Sequence, residues 1–205
     1  MAEIITRLTA GTNPSGLSLS EVKLHLKIDE TLDNALITSL IDAAIDFASD
    51  YTGRQYRTGA TWQLLSDELD DRVIVRRSPV SAVSEVARKV NGSWVAVSAS
   101  TYYLKTAEPF DEIVLKSTAT WPDDVDDIEQ GWRVLFTTGA HAPSIGQAKI
   151  GILRLIAAAY DDRGDYESLT GGGGAAGNFS LAALNDLARK SGAAQFFASH
   201  RVARI

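Results

Sequence analysis

The sequence predicts an α+β fold, in which a small helical bundle carries an antiparallel β insertion and a flexibly linked C-terminal helix. Three observations lead to this prediction. Residues 32–53 have an apolar stripe at helical spacing, residues 57–140 contain short segments rich in β-branched and aromatic residues, and residues 171–174 are four consecutive glycines. Because no helical pattern separates the short segments, we expect them to pair as antiparallel strands.

Two helices are predicted near the N-terminus, after an extension over residues 1–16. Ser18 and Glu21 have the spacing of a capping box, in which each side chain binds the backbone amide of the other residue, so the first helix is predicted over 18–28. The second helix is predicted over 32–53, because its apolar residues recur every three or four positions and Gly53 follows as a stop signal.

The β insertion is predicted over residues 57–140. Its strand-like segments are TWQLL, RVIVR, SEVARKV, SWVAV, TYYLK, EIVLK and WRVLFTT. Asn91-Gly92 lies between two of them, and both residue types tolerate the positive φ angles of a two-residue hairpin turn. We therefore expect a hairpin at this point.

A third helix is predicted over 144–162, which completes a core over residues 17–164. Residues 165–179 are predicted to be a flexible glycine-rich linker. A phosphate-binding loop is not expected there, because no strand precedes the glycines and no lysine follows them. Residues 180–205 are predicted to form a C-terminal helix and a basic arm.

The composition is typical of a globular protein and argues against several functional classes. No apolar run reaches the roughly 18 residues of a membrane span, so we expect no membrane association. The net charge of −6 argues against broad DNA binding, which needs clustered Lys and Arg. The absence of cysteine excludes disulfides, thiolate metal sites and cysteine nucleophiles.

No catalytic, cofactor-binding or metal-binding residue is predicted, and the protein is not expected to be an enzyme. The acidic clusters at 67–71 and 123–129 lack the ligand spacing of a calcium loop and are interpreted as solvated loops. The three histidines are scattered, and no nucleophile motif is present. Two alternatives remain open: a small metal-dependent nuclease or hydrolase that uses the acidic clusters, and a double-stranded DNA-binding module.

Several degenerate motifs occur in a distinctive order between residues 17 and 163. They are a capped helix ending in Asp29-Glu30, a long helix closing on Tyr51-Thr52-Gly53-Arg54, TWQL at 61–64, RSPV at 77–80, TTGA at 137–140, and Tyr160 three residues before Arg163. In this order they resemble the head–tail connector (adaptor, or head-completion) proteins of long-tailed bacteriophages and of phage-derived gene transfer agents.

The resemblance implies a structural protein of a virion or phage-like particle, located at the head–tail junction after assembly in the bacterial cytoplasm. The implied partners are other copies in a homo-oligomeric ring of about a dozen (a dodecamer), the portal protein, and a stopper or tail-completion protein. Double-stranded DNA would pass through the lumen without sequence-specific binding. We therefore expect an acidic or neutral lumen, with either acidic cluster facing it or facing outwards.

Two sets of interface residues are predicted. A ring contact needs two different patches on each copy, and the candidates are Phe47, Tyr51, Trp121 and Trp132, unless these side chains belong to the protein's own core. The linker would let the C-terminal segment dock on the portal, unless that segment folds back on its own bundle. The candidate portal-binding residues are Leu181, Leu184, Leu187, Phe196, Phe197, Arg201 and Arg204.

Overall fold

The computed structural model of the chain describes residues 3–126, 128–140, 145–162, 181–198 and 200–202. The chain divides into two compact units. Met1–Thr12 and Arg57–Ala140 form one, which we call the β unit, and Asn13–Tyr56 and His141–Ile205 form the other, the helical unit. The predicted α+β fold class is confirmed, whereas the predicted linker at 165–179 lies outside the described residues.

The described part of the helical unit contains five helices. They are α1 (Leu19–Leu26), α2 (Asn34–Thr52), α3 (Ile145–Asp161), α4 (Leu181–Lys190) and α5 (Ala193–Ala198). The predicted capping box opens α1: the Ser18 hydroxyl accepts from the Glu21 amide, and the Glu21 carboxylate accepts from the Ser18 amide at 3.1 Å. The predicted stop signal ends α2: Gly53 follows its last residue and has φ 74°, a left-handed conformation that suits glycine.

The C-terminal helices pack within the helical unit. Phe197 on α5 is fully buried and lies against Phe47 and Tyr51 of α2, with ring centroids 6.2 and 5.9 Å away. The close approach of α5 to α3 depends on Gly151, because a Cβ atom there would lie 2.7 Å from Cε1 of Phe197. The sequence predicted α4 but not α5, which follows a turn at Ser191-Gly192.

The described part of the β unit contains two antiparallel sheets. Its strands are β1 (Glu3–Thr9), β2 (Ala60–Ser66), β3 (Arg72–Val75), β4 (Val80–Val90), β5 (Ser93–Ala96), β6 (Tyr102–Lys105), β7 (Asp111–Leu115) and β8 (Trp132–Thr138). The order is β1-β2-β8-β4-β5 in the five-stranded sheet and β3-β7-β6 in the three-stranded sheet. All seven predicted segments are strands, and β1 is an eighth that the sequence did not predict.

The predicted hairpin joins β4 to β5. Val90 pairs with Ser93, and the two turn residues Asn91 and Gly92 have φ angles of 49° and 78°. These positive angles match the right-handed twist of the flanking strands. The register places Trp62 of β2 opposite Phe136 of β8 in the core, where both side chains are buried.

The buried carboxylate of Asp111 connects β7 to the segment that leads into β4. Asp111 is 1% exposed and accepts hydrogen bonds from the Ser78 hydroxyl at 2.7 Å, the Val80 amide at 2.6 Å and the Ala107 amide at 3.2 Å. Arg77 lies over the ring of Trp62, 4.9 Å from its centroid. The RSPV motif therefore has a structural role within the β unit.

Candidate interaction surfaces

The remaining motifs also organise the fold. Lys23 of α1 holds the turn after Asp29, because its ammonium donates to the carbonyl of Glu30 at 2.6 Å and to the side chain of Asn34 at 3.0 Å. The Tyr160 hydroxyl at the end of α3 donates to the carboxylate of Asp33. These contacts bring together the beginning of α2 and the ends of α1 and α3.

The two acidic clusters, separate in the sequence, lie together in the β unit. The Gln130 amide donates to the Asp67 carboxylate at 2.9 Å, and the Trp121 indole donates to the carbonyl of Asp70 at 3.2 Å. Ile128 is 45% exposed in the second cluster. We call this region the acidic surface; within the described residues its exposed carboxylates are Glu68, Asp70, Asp71, Asp123, Asp124 and Glu129.

Asp124 and Asp126 in the second cluster have structural partners. The Arg88 guanidinium donates to both carboxylate oxygens of Asp124, at 2.6 and 2.9 Å, and this hydrogen bonding lowers the pKa of Asp124. The carboxylate of Asp126 accepts from the amides of Asn91 and Gly92, both at 2.8 Å. Within the described residues, no group of three or more His, Asp or Glu side chains is placed to hold a metal ion.

Replacing Asp126 with alanine is expected to destabilise the β unit by about 1–2 kcal/mol, because two charge-assisted hydrogen bonds to the hairpin turn are lost. The midpoint of urea denaturation, followed by tryptophan fluorescence, measures the change. Asp123→Ala is the control, since Asp123 is exposed in the same segment and should change the stability by no more than about 0.5 kcal/mol. Equal midpoints for the two variants would contradict the expectation.

A groove of about 330 Å³ lies in the helical unit between α2 and the C-terminal helices. We call it the aromatic groove; its lining residues are Phe47, Asp50, Tyr51, Asn185, Arg189, Ala194 and Arg201. The rings of Phe47 and Tyr51 have centroids 5.8 Å apart, and the Arg201 guanidinium lies 5.5 Å from the centroid of Tyr51. The groove thus combines an aromatic wall with two exposed arginines.

The structure separates the predicted ring-interface residues by their burial. Phe47 and Trp132 are buried, at 4% and 5% exposure, whereas Tyr51 and Trp121 are half-buried. Trp121 packs edge-on against Trp132 with centroids 5.8 Å apart. Buried side chains are poor candidates for contact with another copy, so Tyr51 and Trp121 are the accessible members of this set.

The predicted portal-binding residues divide in the same way. Leu184, Leu187 and Phe197 are buried, since α4 and α5 fold on their own bundle. Phe196 is half-buried under the guanidinium of Arg154, 5.0 Å from its ring centroid, and Arg201 is exposed. The side chain of Leu181 and all of Arg204 lie outside the described residues. Arg201, a predicted portal-binding residue, therefore lies at the aromatic groove together with Phe47 and Tyr51, which are predicted ring-interface residues. The sequence did not predict that residues of the two sets would meet.

Residues 17–109 match the family model described as phage gp6-like head-tail connector protein. The predicted resemblance to head–tail connector proteins is therefore confirmed over these residues. The matched part of the chain includes α1, α2 and strands β2 to β6. The capping box, the Thr-Gly-Arg run and the RSPV motif all lie within it.

Chains from solved gene transfer agent particles share the fold of this protein. The neck of an empty particle computed with C6 symmetry contains a chain with a TM-score of 0.67 and 20% identity, and a native virion contains one with 0.66 and 19%. The neck of a native particle computed with C12 symmetry gives 0.65 and 21%. Each match covers 98% of this chain and 97% of the other, so the fold is shared over nearly the full length.

A comparison with curated proteins found no match. None of the helices in the described part of the chain has the length and apolar character that a membrane span requires.

Proposed function

We propose that the protein is a structural head–tail adaptor, which forms a ring below the portal, extends the DNA channel and joins the capsid to stopper or tail proteins. The observation that carries this proposal is the connector family match over residues 17–109. The shared fold with neck chains of gene transfer agent particles, over 98% of this chain, supports it further. The corresponding location is the head–tail junction of a virion or phage-like particle.

The proposed assembly is a closed ring of identical copies, and a dodecamer is the expected size. The C12 and C6 symmetries of the matched neck structures support this size. A ring of this kind needs a heterologous contact, in which two different surfaces of each copy meet those of its neighbours. The acidic surface and the aromatic groove are two such different surfaces on one chain.

The channel proposal follows from charge. DNA must slide through the lumen without being gripped, and a wall rich in Lys and Arg would bind phosphates. The net charge of −6 is consistent with a lumen that does not retain DNA. No sequence-specific binding of DNA is expected in this proposal.

The portal contact is proposed to use the C-terminal segment over residues 180–205. Since Leu184, Leu187 and Phe197 are buried in the helical unit, a contact through these three side chains requires α4 and α5 to leave their own bundle. Removing residues 179–205 would expose the core that they cover, so this truncation is a poor test of the contact. Substitutions at exposed positions are better suited.

The proposal is tested with portal-containing heads that lack this protein. After the purified chain is added, electron microscopy is expected to show ring density below the portal, and the heads are expected to gain the ability to bind tails. Heads that remain unchanged, together with no ring in solution, would contradict the proposal.

Two biochemical assays address the alternatives. Mg²⁺-dependent phosphodiesterase activity that Asp124→Ala abolishes would favour the nuclease, and DNA affinity that falls steeply with salt would favour the DNA-binding module. The structural pairing of Asp124 with Arg88 and the connector family match favour the adaptor over both.

A further inference from the structure

We propose that adjacent copies in the ring contact each other through two of the surfaces described above: the acidic surface of one copy occupies the aromatic groove of the next, and Ile128 enters the groove. This inference rests on the proposed ring and goes beyond it, because it assigns the two sides of the contact. The occupant is a second copy of this chain.

The groove has the chemistry to receive an apolar side chain with carboxylates beside it. The half-buried ring of Tyr51 supplies the accessible aromatic wall and packs on the buried ring of Phe47, and Ala194 leaves space on the α5 side. Arg189 and Arg201 are both exposed at the groove. Arginine forms geometrically specific, two-point hydrogen bonds with carboxylates, and it is favoured at protein interfaces.

The acidic surface presents a matching feature. Ile128 is a large apolar side chain, 45% exposed, and Glu129 follows it directly. The Ile128 amide donates to the carbonyl of Asp126 at 2.8 Å, and the Gln130 amide donates to Asp67 at 2.9 Å. Residues that such hydrogen bonds already hold in place lose little conformational freedom when they bind.

The charges of the two surfaces identify the partner. The groove carries two exposed arginines and one exposed carboxylate, that of Asp50, whereas the acidic surface carries six exposed carboxylates, and both surfaces belong to the same chain. A chain with two complementary surfaces at different places associates head to tail, and a closed ring results when the rotation between copies is suitable. Opposite charges also steer the encounter and exclude incorrect orientations. We therefore expect ring formation to weaken as the salt concentration rises.

The contact is tested by cross-linking, because the chain contains no cysteine. Ile128→Cys and Ala194→Cys are introduced together, and the protein is oxidised both alone and after assembly on portal-containing heads. Non-reducing electrophoresis is expected to show a ladder that extends to the ring size. The matched control combines Ala194→Cys with Ile74→Cys, because Ile74 is 46% exposed on β3 and belongs to the β unit, as Ile128 does. This double variant is expected to show only the monomer band after oxidation.

Charge reversal provides an independent measurement. Arg201→Glu alone and Glu129→Arg alone are each expected to reduce ring formation by at least about tenfold, as measured by mass photometry or by ring density on heads. The two changes combined are expected to restore at least part of it. Circular dichroism must show unchanged melting for each variant, so that lost assembly is not lost folding.

The outcomes separate this inference from the proposed function. Rings that form without the Ile128–Ala194 cross-link overturn the inference and leave the adaptor proposal standing. If the Arg201→Glu variant forms rings normally but these rings no longer attach to heads, the groove contacts the portal instead. This result also overturns the inference. If the unmodified protein forms no ring either alone or on heads, the adaptor proposal fails, and the inference fails with it.

Discussion

Replacing Asp111 with alanine is expected to destabilise the β unit by about 3–5 kcal/mol. The substitution leaves the Ser78 hydroxyl and the Val80 amide, both in buried residues, without their acceptor. It also removes the bond from the Ala107 amide. Each buried donor that loses its partner costs about 1–3 kcal/mol.

The measurement uses the tryptophans as a local reporter. All four, Trp62, Trp94, Trp121 and Trp132, belong to the β unit, so their fluorescence follows its unfolding in urea. Glu112→Ala is the control on the same strand, because Glu112 forms a partly exposed ion pair with Lys105 at 3.0 Å. Such pairs contribute about 0–1 kcal/mol. If both variants unfold at the same urea concentration, Asp111 does not have the proposed role.

Replacing Gly151 with alanine is expected to destabilise the packing of α5 on α3 by about 1–3 kcal/mol. The new Cβ atom would lie 2.7 Å from Cε1 of Phe197 and 3.1 Å from Cβ of Phe196. Phe197 is fully buried, so its ring has little room to move. Alanine is a better helix former than glycine by up to about 1 kcal/mol, and the loss is expected in spite of that gain.

Gly146→Ala on the same helix is the matched control. No heavy atom lies within 4 Å of a Cβ placed at Gly146, so this change is expected to keep or raise the stability. Denaturation followed by circular dichroism at the helical band compares the two variants, and hydrogen exchange over 181–198 reports whether α4 and α5 open. Equal protection of this segment in both variants would contradict the proposed close approach. If the portal contact requires α4 and α5 to open, Gly151→Ala should also bind heads at least as well as the unmodified chain.

The elements that the sequence predicted correctly are those with local signals. The capping box depends on two residues three positions apart, and the hairpin depends on two adjacent turn residues. The β1 strand was missed because its residues are almost all exposed, so it has little of the alternation that marks a half-buried strand. The α5 helix was missed because it is only six residues long, and this length holds less than two turns.

The sequence indicated many of the residues that form the candidate surfaces, but it did not indicate which of them lie together. Both acidic clusters were recognised in the sequence. They lie side by side in the structure because the Gln130 amide donates to Asp67, a residue 63 positions away. The same limit applies to the aromatic groove, where Tyr51 of α2 meets Arg201 after α5. No spacing rule in a single sequence links residues so far apart.

By itself, the sequence determined the fold class, most helices and strands, and the resemblance to head–tail connector proteins, because these follow from periodicity, turn residues and the order of short motifs. Only the tertiary structure decided which acidic side chains form stabilising hydrogen bonds within the β unit. It also decided that α4 and α5 pack on α2 and α3, and which aromatic and charged side chains line one groove. The physical reason is that secondary structure is set by interactions within a few residues, whereas burial and site geometry arise when distant segments pack together. Tyr160 and Asp33, joined across 127 positions by a hydrogen bond, illustrate the second case.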